Sequence, residues 1–125
     1  MKIVADTTIL IDILRSKEPE KSFFYRLNKE NDITISFITV AELFSGKSAQ
    51  SKPGREKLKS LLEGIKINIP DINDAFKAGE LKYDYRLALP DAFIAALALK
   101  LNLPIASFDQ KAFKRVKNLK FYQDN

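Results

Sequence analysis

Residues 2–14 of the chain are KIVADTTILIDIL, an apolar run followed by apolar residues at a helical spacing. The run from Lys2 to Ala5 predicts a short buried strand. The apolar residues from Ile9 to Leu14 then recur every three or four positions, which predicts the buried face of a helix. The change from strand to helix therefore falls at Asp6, and this acid directly follows the first strand.

The same alternation continues along the rest of the sequence. Further strands are predicted at residues 33–36, 66–69 and 104–106, with a fifth candidate at 119–122. Helices are predicted after the first strand, from Pro19, at residues 39–44, 55–62, 71–83 and 91–101, and around Phe113, with a loop at 48–54. Strands that alternate with helices imply a mostly parallel sheet covered on both faces. We therefore predict an α/β fold, a three-layer sandwich with a four- or five-stranded sheet flanked by helices, in one domain over residues 1–125.

The composition excludes several classes of enzyme. The chain has 125 residues, enough for one domain with its own core. It has no cysteine, which excludes disulfides, thiolate metal sites and cysteine nucleophiles. It has no histidine either, which excludes serine–histidine–aspartate triads, histidine acid–base pairs and histidine-ligated zinc. Any catalysis must therefore use carboxylates, hydroxyls, lysines, arginines or a metal ion held by oxygen atoms.

The positive charge is concentrated in two segments. The net charge is +5, and residues 47–59 contain five basic residues and one acid, whereas residues 111–120 contain five basic residues and no acid. Such segments favour a polyanionic partner such as nucleic acid, although each one alone also fits a solvated helix face. Asp6 and Asp12 interrupt the first apolar stretch, and polar residues and prolines interrupt residues 87–106. We therefore expect no secretory signal, no membrane span and a cytoplasmic location.

Four acids are placed at what should be one edge of the predicted sheet. In parallel sheets, ligands bind beyond the carboxyl ends of the strands. Asp6 and Asp109 follow the first and fourth strands, Glu42 lies in the helix after the second strand, and Asp91 begins a helix near the same edge. Asp6, Asp91 and Asp109 each also fit an ordinary helix cap or first turn. Glu42 lies among apolar residues, where a partly buried acid is costly unless it is paired or bound to a metal.

Convergence of these carboxylates would restrict the chemistry of the site. Several carboxylates a few ångströms apart cannot all stay charged unless a proton or a cation binds. Oxygen ligands alone favour Mg²⁺ or Mn²⁺, partly hydrated. Such an ion lowers the pKa of bound water and stabilises charge on a phosphate, so an acidic site flanked by basic segments fits phosphodiester hydrolysis. The hydroxyls of Thr8 and Ser107 are suited to orient a carboxylate or a metal-bound water.

The segments that carry these acids resemble the four motifs of PIN-domain ribonucleases. They are VADTTILID at residues 4–12, TVAELFSG at 39–46, LPDAFIAA at 89–96 and ASFD at 106–109. Their order and spacing are similar to those of the small single-domain members, the VapC-type toxins of prokaryotic toxin–antitoxin pairs. The resemblance covers essentially the whole chain.

The resemblance implies an Mg²⁺- or Mn²⁺-dependent endoribonuclease that forms a homodimer and is blocked by a cognate antitoxin. Family members often carry a further acid before the phenylalanine of the last motif, and Ala112 stands there in this chain, before Phe113. The contribution of a fifth acid is therefore missing. By motif position, the catalytic and metal-binding acids would be Asp6, Glu42, Asp91 and Asp109, supported by the hydroxyls of Thr8 and Ser107.

The RNA substrate would be held by basic side chains near the acids. The candidates are Lys47, Lys52, Arg55, Arg86, Lys111, Lys114 and Arg115, although Arg86 also fits an exposed arginine at a helix end. Two alternatives to an RNA-cleaving toxin remain open. One is a PIN nuclease that acts in RNA processing outside a toxin pair, and the other is a non-catalytic RNA- or protein-binding module. Loss of one of the four acids would favour the module, and none is lost.

Overall fold

The computed structural model describes residues 1–123, in which four strands alternate with six α-helices. The strands are β1 (Lys2–Ala5), β2 (Asp32–Ser36), β3 (Lys66–Asn68) and β4 (Ile105–Ala106). The helices are α1 (Thr7–Arg15), α2 (Phe23–Glu30), α3 (Phe37–Ser45), α4 (Lys52–Glu63), α5 (Ile72–Tyr85) and α6 (Leu89–Leu101). None of the helices within residues 1–123 is both long enough and apolar enough to cross a membrane.

The strands form one parallel sheet in the order β3-β2-β1-β4. Val4 of β1 pairs with Thr34 of β2 on one side and with Ile105 of β4 on the other. Because all strands run the same way, their carboxyl ends meet at one edge. The predicted three-layer α/β sandwich is confirmed.

The side chains of β1 divide the apolar core into two layers. Successive side chains of a strand point to opposite faces of the sheet. Ile3 and Ala5 belong to a cluster formed with α1, α2, α3 and α4, whereas Val4 belongs to a second cluster formed with α5 and α6. All three side chains are fully buried. The two helical layers therefore lie on opposite faces of the sheet.

The helix predicted to open at Pro19 begins later than expected. Pro19 starts a 3₁₀ turn, Pro19–Lys21, and α2 follows it. Ser22 is the N-cap of α2, because its Oγ accepts a hydrogen bond of 3.2 Å from the backbone N–H of Tyr25. A serine oxygen can satisfy a free amide of the first turn, which a proline cannot do, and this fixes the start of the helix.

The prediction of a loop at residues 48–54 is wrong, because a serine cap again fixes where a helix begins. Lys47–Gln50 form a 3₁₀ turn, and α4 already begins at Lys52. Ser51 caps this helix through a hydrogen bond of 3.1 Å from the N–H of Gly54 to its Oγ. Pro53 fits the first turn, where its missing N–H costs nothing.

The end of the chain has less regular structure than predicted. The helix predicted around Phe113 is replaced by a 3₁₀ turn, Gln110–Ala112, and further turns in which hydrogen bonds join residues three apart. The fifth strand is reduced to one parallel bridge, between Ile105 and Phe121. Because β4 is only two residues long, it offers little backbone for a longer pairing. Phe113 is nevertheless fully buried, as its place in the apolar pattern requires.

Candidate active site

The four predicted acids lie at the carboxyl edge of the sheet or on the helices that begin there. Asp6 directly follows β1 and is the N-cap of α1. Glu42 lies one and a half turns into α3, which starts directly after β2. Asp91 lies in the first turn of α6, and Asp109 lies three residues beyond β4. The strand order β2-β1-β4 places these chain segments side by side.

Asp6 is the most buried of the four acids and is held by two hydroxyls. Its residue is 3% exposed. The Oδ1 atom accepts hydrogen bonds from the backbone N–H of Thr8, at 3.0 Å, and from Thr8 Oγ1, at 2.5 Å. The Oδ2 atom accepts a hydrogen bond from Ser107 Oγ, which lies 101 positions away in the sequence. Thr8 and Ser107, predicted as supporting residues, therefore both orient the same carboxylate.

These two hydroxyls also fasten the segment after β4 to the start of α1. Thr8 Oγ1 accepts a hydrogen bond of 3.0 Å from the N–H of Phe108, and Ser107 Oγ accepts one of 2.8 Å from the N–H of Asp109. Each hydroxyl donates to Asp6 and accepts from the backbone. The backbone that carries Asp109 is thus fixed relative to Asp6.

Glu42 is positioned by two threonines that the sequence did not single out. Thr7 Oγ1 donates a hydrogen bond of 2.6 Å to Glu42 Oε1. The Thr7 hydroxyl also forms a hydrogen bond of 3.1 Å with the hydroxyl of Thr39, which is fully buried. Two signals could have indicated them, because Thr7 follows Asp6 in the first motif and Thr39 precedes Glu42 by three residues, on the same face of α3.

The pKa of Asp91 shows that the acids share one electrostatic environment. Partial burial raises this pKa from 3.8 to about 6, together with repulsion from the charges of Asp6, Glu42 and Asp109. Burial also raises the pKa of Asp6, although the hydrogen bonds from Ser107 and Thr8 act in the opposite direction. Asp91 therefore lies close enough to the other three acids for their charges to repel its own.

The donor set fits a partly hydrated metal ion better than a closed cage. Within residues 1–123, no three acidic side chains are close enough to hold a metal ion directly between them. Mg²⁺ commonly binds proteins through one or two carboxylates and keeps several water molecules. Two oriented carboxylates, those of Asp6 and Glu42, and the crowded carboxyl of Asp91 are suited to this kind of binding.

Some of the predicted basic residues lie beside the acids, and others have structural contacts. Lys47 lines a cavity of about 310 Å³ together with Glu42 and Arg15, a residue that the sequence did not single out for this role. Arg115 donates a hydrogen bond of 2.8 Å from Nη2 to the carbonyl of Tyr85, at the end of α5. The remaining candidates are exposed, with Lys52 and Arg55 in the first turn of α4, Arg86 at the C-cap of α5, and Lys111 and Lys114 after β4.

A larger cavity, of about 780 Å³, lies between α5 and α6. The Lys100–Asp74 ion pair belongs to its wall, and none of the four acids lines it. Its size alone does not make it the functional site, because it lacks the crowded acids and the oriented hydroxyls. The candidate active site is therefore the acidic sheet edge.

Comparisons with known proteins agree with this fold. The complex VapBC2 of Rickettsia felis, bound to a DNA fragment from its promoter, contains a chain 26% identical to this one, with 100% of both chains covered and a TM-score of 0.79. A toxin–antitoxin complex from Klebsiella pneumoniae gives 26% identity, 98% and 99% coverage and a TM-score of 0.74. DNA-bound VapBC from Salmonella typhimurium, at 19% identity, 98% and 97% coverage and a TM-score of 0.80, shows the fold alone.

A search of curated proteins finds no match to this chain. The model of the PIN domain family matches residues 3–119, which include all four acids and nearly the whole fold. By this match the chain belongs to the PIN domain family.

Proposed function

We propose that this PIN domain is an Mg²⁺- or Mn²⁺-dependent endoribonuclease that hydrolyses phosphodiester bonds in RNA. One observation carries the proposal. Asp91 is partly buried within repelling distance of Asp6, Glu42 and Asp109, and its pKa is raised to about 6. Such crowding destabilises the protein unless a cation or a proton relieves it, and perturbed acids of this kind cluster at functional sites.

The chain's own residues would supply binding and orientation. Asp6 and Glu42 are held in place by Ser107, Thr8 and Thr7, so their oxygen atoms are available at fixed positions. Asp91 would complete the site from the opposite helical layer. When bound, the metal ion supplies a water of lowered pKa and stabilises charge on the phosphate.

The surroundings of the site favour RNA as the substrate. The net charge is +5, and Lys47 and Arg15 share a cavity with Glu42, so cations are available to contact phosphates beside the acids. The chain contains no histidine, so a histidine acid–base pair is not available for cleavage without a metal.

We also propose that the protein is the toxin of a type II toxin–antitoxin pair and acts with a cognate antitoxin. The support is the likeness to a chain of the VapBC2 complex and to a chain of a toxin–antitoxin complex, each at 26% identity over nearly the whole length of both chains. A homodimer is part of the same proposal. The apolar side chains of Ile72, Phe76 and Tyr83 are exposed on α5, which offers a second copy an apolar surface.

The direct test is digestion of labelled RNA with Mg²⁺, with Mn²⁺ and with a chelator. Wild type is expected to cleave with either ion and to stop in the chelator, and Asp6→Asn is expected to be inactive in all conditions. Asp32→Asn is the matched control, because it removes the same charge from an exposed residue. Asp32 is the first residue of β2, at the end of the strand away from the carboxyl edge that carries the acids. Full cleavage by Asp6→Asn would refute the assigned site, whereas RNA binding without cleavage by wild type would favour the non-catalytic module.

A further inference from the structure

Phe108 is an exposed aromatic residue whose main chain adjoins the acidic site. It lies between Ser107, which holds Asp6, and Asp109. Its backbone N–H donates to Thr8 Oγ1 at 3.0 Å, so its main chain is fixed by the same hydroxyl that orients Asp6. The residue is nevertheless 56% exposed, which is unusual for a phenylalanine with so firmly held a backbone.

The ring of Phe108 is supported from behind by a second aromatic group. Its centroid lies 5.5 Å from that of Phe23, at an interplanar angle of 50°. Phe23 in turn lies 6.4 Å from Tyr122, and the guanidinium of Arg26 lies 5.2 Å from the Phe23 centroid. The contact with Phe23 restrains the exposed ring of Phe108. Little conformational entropy would then be lost when a planar ligand packs on the ring.

We propose that Phe108 is a stacking platform for a base of single-stranded RNA, next to the phosphate that is cleaved. The inference rests on the proposed ribonuclease function and deepens it by naming a side chain that binds the substrate. Proteins bind unpaired bases by stacking them on exposed aromatic rings, and the backbone is bound by cations nearby. The exposed ring of Phe108 directly precedes Asp109, and the exposed cations of Lys111 and Lys114 follow in the same segment.

The position of the ring has a consequence for specificity. A base within a duplex is stacked on its neighbours and cannot also stack on a protein side chain. The enzyme should therefore act on loops or other unpaired segments, with little preference for base identity at the stacked position, because every base has a flat face. Phe108 is in this view a binding residue for the substrate and takes no part in proton transfer.

The first test uses tryptophan fluorescence, because the chain contains no tryptophan. In Phe108→Trp the single indole should be quenched when a short single-stranded RNA is added in chelator, where the RNA stays intact. The matched control is Leu101→Trp, at a position that is 40% exposed and outside the surface proposed for a second copy. Leu101 is the last residue of α6 and lies about 15 Å along the helix from Asp91. Equal quenching of the two variants would overturn the inference.

The second test measures the coupling between the ring and one base. Binding of RNA oligonucleotides with a single abasic position is compared for wild type and Phe108→Leu, again in chelator. Loss of the stacked base should weaken binding to wild type by about 5- to 150-fold and should have little effect on Phe108→Leu. Phe108→Tyr should restore the coupling. If no abasic position distinguishes wild type from Phe108→Leu, the ring does not stack on RNA.

Cleavage assays on the same proteins separate this inference from the function on which it rests. If wild type cleaves RNA but no abasic position is coupled to Phe108, the ribonuclease proposal stands and the stacking role of Phe108 is refuted. If an abasic position is coupled to Phe108 but wild type cleaves no RNA, the stacking role is supported and the ribonuclease proposal is refuted. A Phe108→Leu variant that binds RNA normally but loses an antitoxin partner would assign the ring to a protein interface and overturn the inference.

Discussion

Replacing Asp91 by asparagine should make the metal-free protein more stable at neutral pH. The substitution keeps the shape of the side chain and removes one of the four crowded charges. In wild type, burial and repulsion from Asp6, Glu42 and Asp109 raise the pKa of Asp91 from 3.8 to about 6. The native state therefore holds a proton there that the unfolded chain releases between about pH 4 and pH 6. The stabilisation by this proton is complete below about pH 4 and is lost as the pH rises through about 6.

The size of the effect follows from the change of the pKa. An increase from 3.8 to about 6 corresponds to about 3 kcal/mol of unfolding free energy. Asp91 is only partly buried, so solvent and salt screen the repulsion, and we expect about 1–2 kcal/mol. For a domain of this size, that raises the melting temperature of Asp91→Asn above that of wild type by about 3–8 °C at pH 7.5.

Thermal unfolding in chelator, followed by circular dichroism at pH 5 and pH 7.5, measures this difference. The advantage of Asp91→Asn should shrink as the pH is lowered, because wild type then gains its own proton. Asp32→Asn is the control for the loss of one negative charge, and it should differ little from wild type at either pH. Equal stability of Asp91→Asn and wild type at pH 7.5, or a difference that does not change with pH, would refute the crowding of the four acids. Mg²⁺ should stabilise wild type more than the variant, since it binds the native state.

Three further predictions concern the neighbours of the acids. Ser107→Ala removes a hydrogen bond from Asp6 and should weaken cleavage or the affinity for Mg²⁺ by about 10- to 100-fold, as measured by Mg²⁺ titration of the cleavage rate. Thr7→Val keeps the shape but releases Glu42 and should lower the rate by a similar factor, with unchanged circular dichroism as the check on folding. Alanine replacements of Lys47, Lys52 and Arg55, in the first basic segment, should reduce the salt dependence of RNA binding. The slope of the logarithm of the binding constant against the logarithm of the salt concentration should fall by about 0.7 for each lost phosphate contact. An unchanged slope would show that these three residues do not contact the RNA.

The sequence predicts the sheet edge because a parallel sheet leaves few choices. Once the strands alternate with helices, the residue after each strand lies at the carboxyl edge, whatever the details of the packing. The position of Asp6 at this edge is therefore predictable from the local sequence pattern alone. The prediction for Asp91 depends further on the start of α6, which Pro90 fixes in the first turn.

The partners of the acids are not predictable in the same way. Ser107 and Thr8 are plausible from their residue type, but their convergence on Asp6 joins positions 101 residues apart. The hydrogen bond from Thr7 to Glu42 spans 35 residues and depends on how α1 and α3 pack. The errors at Pro19 and at residues 48–54 have a more local origin. Serine caps at Ser22 and Ser51 fix where the helices begin, and prolines gave misleading or ambiguous signals beside them.

Asp91 differs from Asp6 and Glu42 in its hydrogen bonds. Donors from Thr8 and Ser107 stabilise the charged form of Asp6, and Thr7 donates to Glu42. The causes that act on Asp91 are burial and repulsion, and within residues 1–123 no hydrogen bond is among them. Asp6 and Glu42 are thus held in fixed positions by hydroxyl donors, while Asp91 can be neutralised by a proton or by the proposed cation. A proton and the cation would compete for the carboxyl of Asp91. The repulsion between the acids would therefore both favour binding of a cation and destabilise the metal-free protein.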